Sequence, residues 1–291
     1  MVIWTTTPWT LPANLGIALH PDFEYGIFDT GSDLIVIARS LKEFVEKDTG
    51  LTLQDTGFKI KGQELEMGLA QHPFIDRTSL IILGDHVTQD AGTGAVHNAP
   101  GHGADDYKAG LRYGMEILSP VDPRGAYTDE VPEFQGINIF KANPLIVEKL
   151  RGLNMLLGFK EIEHSYPHCW RTKTPLIFRA TPQWFIGLDL PENNLRKVAM
   201  KAVGDIGFFP KWGEARFTSM MEGRPDWCIS RQRIWGVPIP VFMCVKTGKP
   251  FIDYDVIMKI ADTMEKDGGI DAFFKYSPEF FIGDTWKKSE M

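Results

Sequence analysis

The chemically richest stretch of the sequence is Gly92–Tyr107, which holds two histidines and two adjacent carboxylates within sixteen residues. Four glycines and one proline interrupt it, so the backbone can turn sharply and approach a ligand closely. Asp105 and Asp106 fall where a helix is predicted to begin, and carboxylates are favourable in a first helical turn. We expect Asp105 to cap this helix and Asp106 to point into a cleft, where it would bind a cation or an amine.

A second candidate is the hydroxyl-rich segment Thr5-Thr6-Thr7 ahead of Pro8. Pro8 holds Thr7 away from the helical conformation, and β-branched threonines favour an extended backbone. Their hydroxyls could bind small polar groups or phosphate. Taken alone, the segment favours a simpler interpretation, an ordinary strand with its threonines facing solvent. An apolar strand at residues 2–4 runs straight into it, which indicates a segment of a longer protein.

Other catalytic motifs are weak or missing. The sequence has no Gly-x-x-x-x-Gly-Lys-Ser/Thr loop, no Gly-x-Gly-x-x-Gly turn and no Gly-x-Ser-x-Gly elbow. His97, His102 and the carboxylates could be imagined as a metal site, because histidine and carboxylate suit several divalent ions. However, the histidines flank Pro100-Gly101 and do not share a helix face. We therefore expect no metal site here.

The composition is that of a globular protein of one large or two modest domains, with 43% hydrophobic and 24% charged residues. No run of eighteen apolar residues and no basic-then-apolar N-terminus is present, so we expect a cytoplasmic protein.

Three widely spaced cysteines fit a reducing compartment. Cys169 stands where the first ligand of half a zinc knuckle would be. The second ligand position holds Thr172, so we expect a buried free cysteine.

Charge is unevenly distributed along the chain, whose formal net charge is −7. Residues 164–240 contain eleven Lys or Arg against six Asp or Glu, and they are rich in aromatic residues. A polyanion could bind this part, although a modest basic bias is also typical of an ordinary solvated face. The change in character indicates a domain boundary near residues 155–165.

Short strands with few helices between them dominate the first half. Strands are predicted at 16–19, 25–28, 34–37, 57–60, 64–68 and 79–84, and helices at 40–50, 104–114, 143–156, 193–206 and 254–268. This pattern favours a β-rich α/β fold, mixed or mostly antiparallel, over a doubly wound parallel sheet.

Two long motifs carry a family resemblance. Residues 4–14, Trp-Thr-Thr-Thr-Pro-Trp-Thr-Leu-Pro-Ala-Asn, and the stretch Gly92–Tyr107 together resemble the editing (CP1) domain inserted in isoleucyl-tRNA synthetases of class I. The related valyl and leucyl domains carry Thr-Thr-Arg-Pro-Glu/Asp-Thr in the first motif and Pro-Ala-His-Asp in the second. Residues 165–167, 174–175, 179–185 and 224–233 resemble segments where that enzyme's chain re-enters its synthetic domain. The resemblance covers essentially the whole chain.

The resemblance implies a largely antiparallel, barrel-like editing domain over residues 1–160 and a smaller α+β segment of the synthetic domain over 161–291. It implies an aminoacyl-tRNA ester hydrolase that removes valine from mischarged tRNA(Ile). Such editing is needed because a pocket for isoleucine cannot strongly reject valine, a limit for which this enzyme family is itself the standard example. The adenylate-forming signatures His-Ile-Gly-His and Lys-Met-Ser-Lys-Ser are missing, so the segment could not form the adenylate itself.

The resemblance also implies roles for single residues. Catalytic roles are implied for three residues: Asp106, which supplies the anion for the substrate's α-ammonium, His97 and Thr6. Substrate-binding roles are implied for five others: Thr5, Thr7, Asn14 near the terminal adenosine, Gly94 and His102. Asn98 stands where family members often carry threonine, which alters the polarity expected in the pocket.

The expected reaction is attack of water on the aminoacyl ester, with the tRNA's own terminal hydroxyl helping to position that water. It needs no cofactor, and ATP and magnesium would serve only the synthetic domain. We expect a monomer that binds tRNA(Ile) mischarged with valine and no membrane. Two alternatives stay open: a non-catalytic tRNA-binding module whose basic aromatic half stacks bases, and a metal-dependent hydrolase using His97, His102 and Asp106.

Overall fold

The structure is a computed structural model that describes residues 1–163, 165–231 and 236–283. The chain divides into two compact units, residues 1–181 and the residues from Pro182 onward. The first unit therefore continues beyond the boundary predicted near residue 160. The assignment of residues 1–160 to an editing domain and of 161–291 to a synthetic-domain segment stays a prediction.

Two small sheets form the centre of the first unit. Their strands are β1 (Gly16–Leu19), β2 (Glu24–Asp29), β3 (Leu34–Ala38), β4 (Gln54–Lys61), β5 (Leu69–Gln71), β6 (Thr78–Leu83) and β7 (Ala95–Asn98). One sheet has the order β5-β6-β1-β7 and the other has the order β3-β2-β4. Only β1 and β6 run parallel among these neighbours. The mixed, largely antiparallel α/β class is confirmed, but in the described part of the chain neither sheet closes into a barrel.

The register of β1 and β7 positions the first histidine of the glycine-rich stretch. Ile17 pairs with His97, and Gly16 pairs with Asn98. Successive side chains of a strand point to opposite faces of the sheet. His97 and Asn98 therefore lie on opposite faces, so only one of them can belong to a given cavity wall.

Three helices pack around these sheets: α1 (Lys42–Thr49), α2 (Ala104–Arg112) and α3 (Ile139–Gly152). The first ends at Gly50, whose φ of 74° is the left-handed conformation that stops a helix. The third begins earlier than the predicted residue 143, because the Asn138 side chain accepts a hydrogen bond from Phe140 N and caps it. Its apolar face joins a core with Trp9 and Tyr127.

One predicted strand is wrong. Residues Gly62–Leu65 form a 3-10 turn, and β5 begins only at Leu69. The Glu64 carboxylate accepts a hydrogen bond from Lys61 N at 2.9 Å, and Met67 has a positive φ of 63°. Local turn chemistry therefore overrides the apolar spacing of residues 64–68.

The second unit is a smaller α+β arrangement. Its elements are β8 (Phe185–Ile186), α4 (Leu195–Val203), α5 (Trp212–Glu222), β9 (Trp227–Cys228), β10 (Phe242–Met243), β11 (Pro250–Phe251), α6 (Tyr254–Lys266), α7 (Ala272–Lys275) and α8 (Pro278–Ile282). The predicted helices at 193–206 and 254–268 correspond to α4 and α6. A small core forms where α6 meets α8, through Val256, Ile260 and Phe281. The last two residues of the 224–233 motif lie outside the described residues.

The helices are short. The longest described helix, α3, has 14 residues. Across the described residues, no helix combines the length and apolar character needed to cross a membrane.

Candidate active site

One cavity of about 250 Å³ brings together most of the residues singled out from the sequence. Its walls are formed by Trp4, Thr5, Thr6, Thr7, Thr10, Val96, His97, His102 and Asp106. The threonine segment and the Gly92–Tyr107 stretch are thus neighbours in space, although about ninety residues separate them in sequence. Asn14 and Gly94 lie behind this wall, as described below.

The threonine wall is held from behind by a 3-10 helix, Pro8–Ala13. Trp9 N donates to Asn143 Oδ1 at 2.9 Å, and Tyr127 Oη donates to Trp9 O. Further along the turn, the main chain accepts hydrogen bonds from His72 and Arg77. Four partners from three separate parts of the chain therefore fix the segment, which turns after Thr7 rather than continuing as a strand.

Within this turn the hydroxyls form a connected cluster. Thr10 Oγ1 donates to Thr7 O at 2.8 Å, and the two hydroxyl oxygens are 3.2 Å apart. Thr5 Oγ1 accepts from Thr7 N at 3.1 Å and lies 3.4 Å from Thr7 Oγ1, a contact in which either hydroxyl can donate. Thr6 is exposed on the cavity wall. Two hydroxyl donors, from Thr5 and Thr6, can therefore reach a bound ligand.

His97 is buried, and both of its ring nitrogens have protein partners. Asn14 Nδ2 lies 2.7 Å from Nδ1, and Thr10 Oγ1 lies 2.8 Å from Nε2. Burial lowers the pKa of His97 to about 3, with His72 and His102 acting in the same direction. With both nitrogens engaged, the neutral ring forms a rigid part of the cavity wall, and the catalytic role of His97 stays a prediction.

Asn14 is 3% exposed and lies behind His97 rather than in the cavity. Its Oδ1 accepts a hydrogen bond from Ser79 Oγ, and its Nδ2 also donates to Gly16 O at 2.9 Å. These bonds engage the amide completely. The structure shows Asn14 in a supporting contact with the histidine, and its contact with adenosine stays a prediction.

Gly94 also has a structural role where a substrate-binding role is predicted. Its φ of 77° is in the left-handed region, and a Cβ at this position would overlap Ala38 Cβ. Its carbonyl accepts a hydrogen bond from Tyr25 Oη at 2.6 Å. Glycine is needed here because two strands approach closely.

Asp106 is the carboxylate of the cavity. It lies in the first turn of α2, and its Oδ2 accepts a hydrogen bond from Ala99 N at 3.1 Å. Burial raises the pKa of Asp106 above its ordinary value, although that hydrogen bond opposes the effect. A desolvated carboxylate of this kind is stabilised when a cationic ligand pairs with it.

Asp105 lies outside the cavity and does not cap the helix as predicted. Gly103 is the N-cap residue, and no side chain bonds the free N–H groups from that position. The Asp105 side chain is exposed and pairs with Lys108 Nζ at 3.1 Å. It therefore contributes only through its favourable place in the first turn.

Asn98 does not change the polarity of the pocket as expected. It is fully buried on the face of β7 that is opposite to His97, and it is not part of the cavity wall. Sequence reasoning also missed Thr10. Its position three residues after Thr7, just beyond Pro8, is the signal that a turn would bring the two hydroxyls together.

The described residues contain no group of three His, Cys, Asp or Glu side chains placed to hold one metal ion. In particular, the nitrogens of His97 are bound to Asn14 and Thr10, so the metal-dependent alternative loses one of its three ligands. Cys169 carries a reduced thiol that is half-buried rather than buried.

A family model for class I tRNA synthetases (I, L, M and V) matches residues 20–289. The isoleucine--tRNA ligase of Caldanaerobacter subterraneus subsp. tengcongensis is 48% identical over 286 residues, which are 98% of this chain and 30% of that protein. The isoleucine--tRNA ligase of Persephonella marina is 50% identical over 291 residues, which are 98% of this chain and 31% of that protein. A crystal structure described as GlLeuRS-CP1 aligns with a TM-score of 0.41 and 15% identity, over 55% of this chain and 83% of that chain.

The chain spans about 30% of the length of these curated relatives. The matched range of the family model covers both compact units. The chain therefore belongs to the class I tRNA synthetases of the isoleucine, leucine, methionine and valine group, and its similarity to isoleucine--tRNA ligases extends over almost its whole length.

Proposed function

We propose that the cavity hydrolyses the ester of valine wrongly attached to tRNA(Ile), as the editing site of an isoleucyl-tRNA synthetase. The observation that carries the proposal is the shared wall: a desolvated carboxylate, Asp106, and the hydroxyls of residues 5–7 line one cavity of about 250 Å³. An aminoacyl ester offers its ammonium to the carboxylate and its carbonyl to the hydroxyls. The similarity to isoleucine--tRNA ligases supports the isoleucine-specific tRNA as the partner.

In this proposal, Asp106 binds the α-ammonium of the substrate. A charge-assisted hydrogen bond is stronger than a neutral one, and its strength increases where water is excluded. Burial has already raised the pKa of this carboxyl. Pairing with a cation stabilises the ionised form, so the site selects a ligand with a free amine.

The hydroxyl wall acts on the ester carbonyl. Water adds to the carbonyl carbon, and the developing oxyanion accepts hydrogen bonds from Thr5 and Thr6. The bond from carbonyl carbon to ribose oxygen then breaks, the proton lost by the attacking water passes to that ribose oxygen, and valine leaves as the free acid. A neighbouring hydroxyl of the terminal ribose positions the water. An activated ester needs no cofactor for this step, and ATP and magnesium would act only in the rest of the synthetase.

Selection against isoleucine comes from the fixed wall around Trp4, Val96 and His97. The His97 ring cannot rotate without breaking two hydrogen bonds, one to Asn14 and one to Thr10. One additional methylene group on the ligand costs more binding free energy against a rigid wall than against a wall that can move. The larger, correctly attached amino acid is thus excluded.

Valine release tests the proposal. Val-tRNA(Ile) is incubated with the 291-residue chain, with Asp106→Asn and with Asp105→Asn as the matched exposed neighbour. We expect Asp106→Asn to lose about 10- to 100-fold in rate, because a charge-assisted contact contributes about 1.5–3 kcal/mol. Asp105→Asn should retain the wild-type rate. Equal deacylation by all three proteins would contradict the proposal.

A non-catalytic tRNA-binding module is the second candidate. Exposed Trp212 and Trp227 in the second unit could stack bases. The same experiment separates the two functions, because a binding module retains the tRNA without releasing valine. In both cases we propose a monomer, which sedimentation would test.

A further inference from the structure

Ser79 is a buried serine of β6 that contacts the residue supporting the cavity wall. It is 2% exposed, and its hydroxyl lies against Asn14 Oδ1. An amide oxygen carries no proton, so the serine hydroxyl is the donor of this hydrogen bond. Ser79 is not part of the cavity wall itself. Any effect that it has on a ligand must therefore pass through Asn14.

The orientation of the Asn14 amide follows from its neighbours. Its Nδ2 lies 2.9 Å from Gly16 O and 3.4 Å from Asn98 O, and both partners are carbonyl oxygens that only accept. The nitrogen end of the amide therefore faces these carbonyls, and the oxygen end faces Ser79. Within the described part of the chain, no donor other than Ser79 reaches Asn14 Oδ1.

The same amide determines which nitrogen of His97 carries the proton. Asn14 Nδ2 lies 2.7 Å from His97 Nδ1, so Nδ1 accepts and the ring proton is on Nε2. Nε2 then donates to Thr10 Oγ1 at 2.8 Å. Ser79, Asn14, His97 and Thr10 thus form one directed series of hydrogen bonds. In a buried series of this kind, each bond strengthens the next one.

Loss of the Ser79 hydroxyl would release this series at its start. Asn14 is 3% exposed, so its Oδ1 would become a buried acceptor without a partner. Such a group is costly, and the amide lowers the cost by rotating toward another donor. Rotation takes Nδ2 away from His97 Nδ1, and the ring loses one of the two hydrogen bonds that fix it.

We propose that Ser79 is a positioning residue for the rejection of isoleucine, because it locks the Asn14 amide and, through that amide, the His97 ring. The role rests on the proposed ester hydrolysis. His97 belongs to the wall that encloses the bound amino acid. A locked ring leaves no room for one additional methylene group, whereas a released ring can move to admit it. Ser79 thereby controls which amino acid is removed rather than the chemistry of removal.

The ratio of two hydrolysis rates tests this role. The 291-residue chain is incubated with Val-tRNA(Ile) and, separately, with Ile-tRNA(Ile), and release of each amino acid is measured. We expect Ser79→Ala to raise the rate of isoleucine release relative to valine release by about fourfold, the factor that burial of one methylene group supplies. Because both substrates meet the same protein preparation, the ratio does not depend on the folded fraction.

Two further variants separate positioning from a general loss of stability. Ser79→Thr keeps the donor hydroxyl and should restore the wild-type ratio. Ser119→Ala removes another buried hydroxyl, which has no hydrogen-bond partner among the described residues, and should leave the ratio unchanged. A wild-type ratio in Ser79→Ala, or an equal change in Ser119→Ala, overturns the role of Ser79. The proposed function survives either result if the wild type releases valine, and both proposals fail if it does not.

A measurement on the unmutated protein tests the direction of the series without any variant. The ¹⁵N resonances of the His97 ring show which of its nitrogens carries the proton. We expect the proton on Nε2 near pH 7. A proton on Nδ1 would mean that the Asn14 oxygen faces the ring, so that Ser79 could not be its donor. That result would overturn the inference and leave the proposed hydrolysis intact.

Discussion

Thr10 Oγ1 lies 2.8 Å from His97 Nε2, and the direction of this hydrogen bond follows from the groups on either side of it. Asn14 presents an N–H to His97 Nδ1, so the ring proton is on Nε2 and points to Thr10. Thr10 in turn donates to Thr7 O. The wall behind the cavity is thus a directed chain of hydrogen bonds that ends at the threonine segment.

Removing the hydroxyl from this chain should destabilise the protein. In Thr10→Val the size is preserved, but the buried Nε2–H of His97 loses its acceptor. We expect the free energy of unfolding to fall by about 1–3 kcal/mol. Thr6→Val is the matched control, because Thr6 is exposed, and should change it by less than about 0.5 kcal/mol. Urea unfolding compares the free energies of unfolding of the two variants. Equal losses would show that this series of hydrogen bonds contributes nothing special to stability.

The dependence of stability on pH follows from histidines that are neutral in the fold. Burial lowers the pKa of His72, His97 and His102 from the ordinary value of 6.5, for His97 to about 3. Below pH 6.5 the unfolded state therefore binds more protons than the folded state. Stability is fully present above this pH and decreases as the pH falls, and for His97 the loss continues toward pH 3 at up to about 1.4 kcal/mol per pH unit.

Thermal unfolding between pH 7 and pH 4 measures this slope. His97→Gln removes one titrating group, so its stability should depend less steeply on pH than that of the wild type, whatever its stability at pH 7. Identical slopes would mean that His97 binds its proton as readily in the fold as in the unfolded chain, and burial would then not keep the ring neutral at low pH.

Asp106 should show a conflict between stability and function. Its folded-state pKa is raised, so the folded state holds its proton more strongly, and the ionised carboxylate reduces stability once the pH exceeds the ordinary value of 3.8. Asp106→Asn has no charge to desolvate and can still accept the hydrogen bond from Ala99 N. We expect this variant to be more stable by about 0.5–1 kcal/mol at pH 7 while valine release slows by about 10- to 100-fold. A destabilised variant would instead indicate a structural role.

Several elements could be predicted from local sequence. The apolar runs of β1, β2 and β3 and the glycine that ends α1 produced correct predictions because burial and φ preference act within a few residues. The prediction of a strand at 64–68 was wrong because the Glu64 side chain accepts a hydrogen bond from the backbone of Lys61 and stabilises a turn. Such side-chain competition leaves no trace in hydrophobic spacing.

The site could be predicted only in part, because the partners of its residues are distant in sequence. Asp106 and the threonines lie where the resemblance implies, on one wall. The mutual contact of Asn14 and His97, across 83 residues of chain, could not be predicted, and the roles predicted for both residues stay predictions. Residue type alone cannot distinguish an amide that faces a ligand from one that supports a neighbouring ring.

Gly94 provides a final test of this distinction between ligand contact and support. Its φ is 77°, and a Cβ would overlap Ala38, whereas Gly114 has a similar φ of 64° and open space around it. Left-handed backbone costs an alanine about 1–2 kcal/mol, and overpacking adds about 1–3 kcal/mol. We therefore expect Gly94→Ala to lose about 3 kcal/mol and Gly114→Ala about 1 kcal/mol in urea unfolding. Because Gly94 lies behind the wall, the folded fraction of Gly94→Ala should bind a non-hydrolysable valyl-adenosine amide as the wild type does, and weaker binding would return Gly94 to the substrate site.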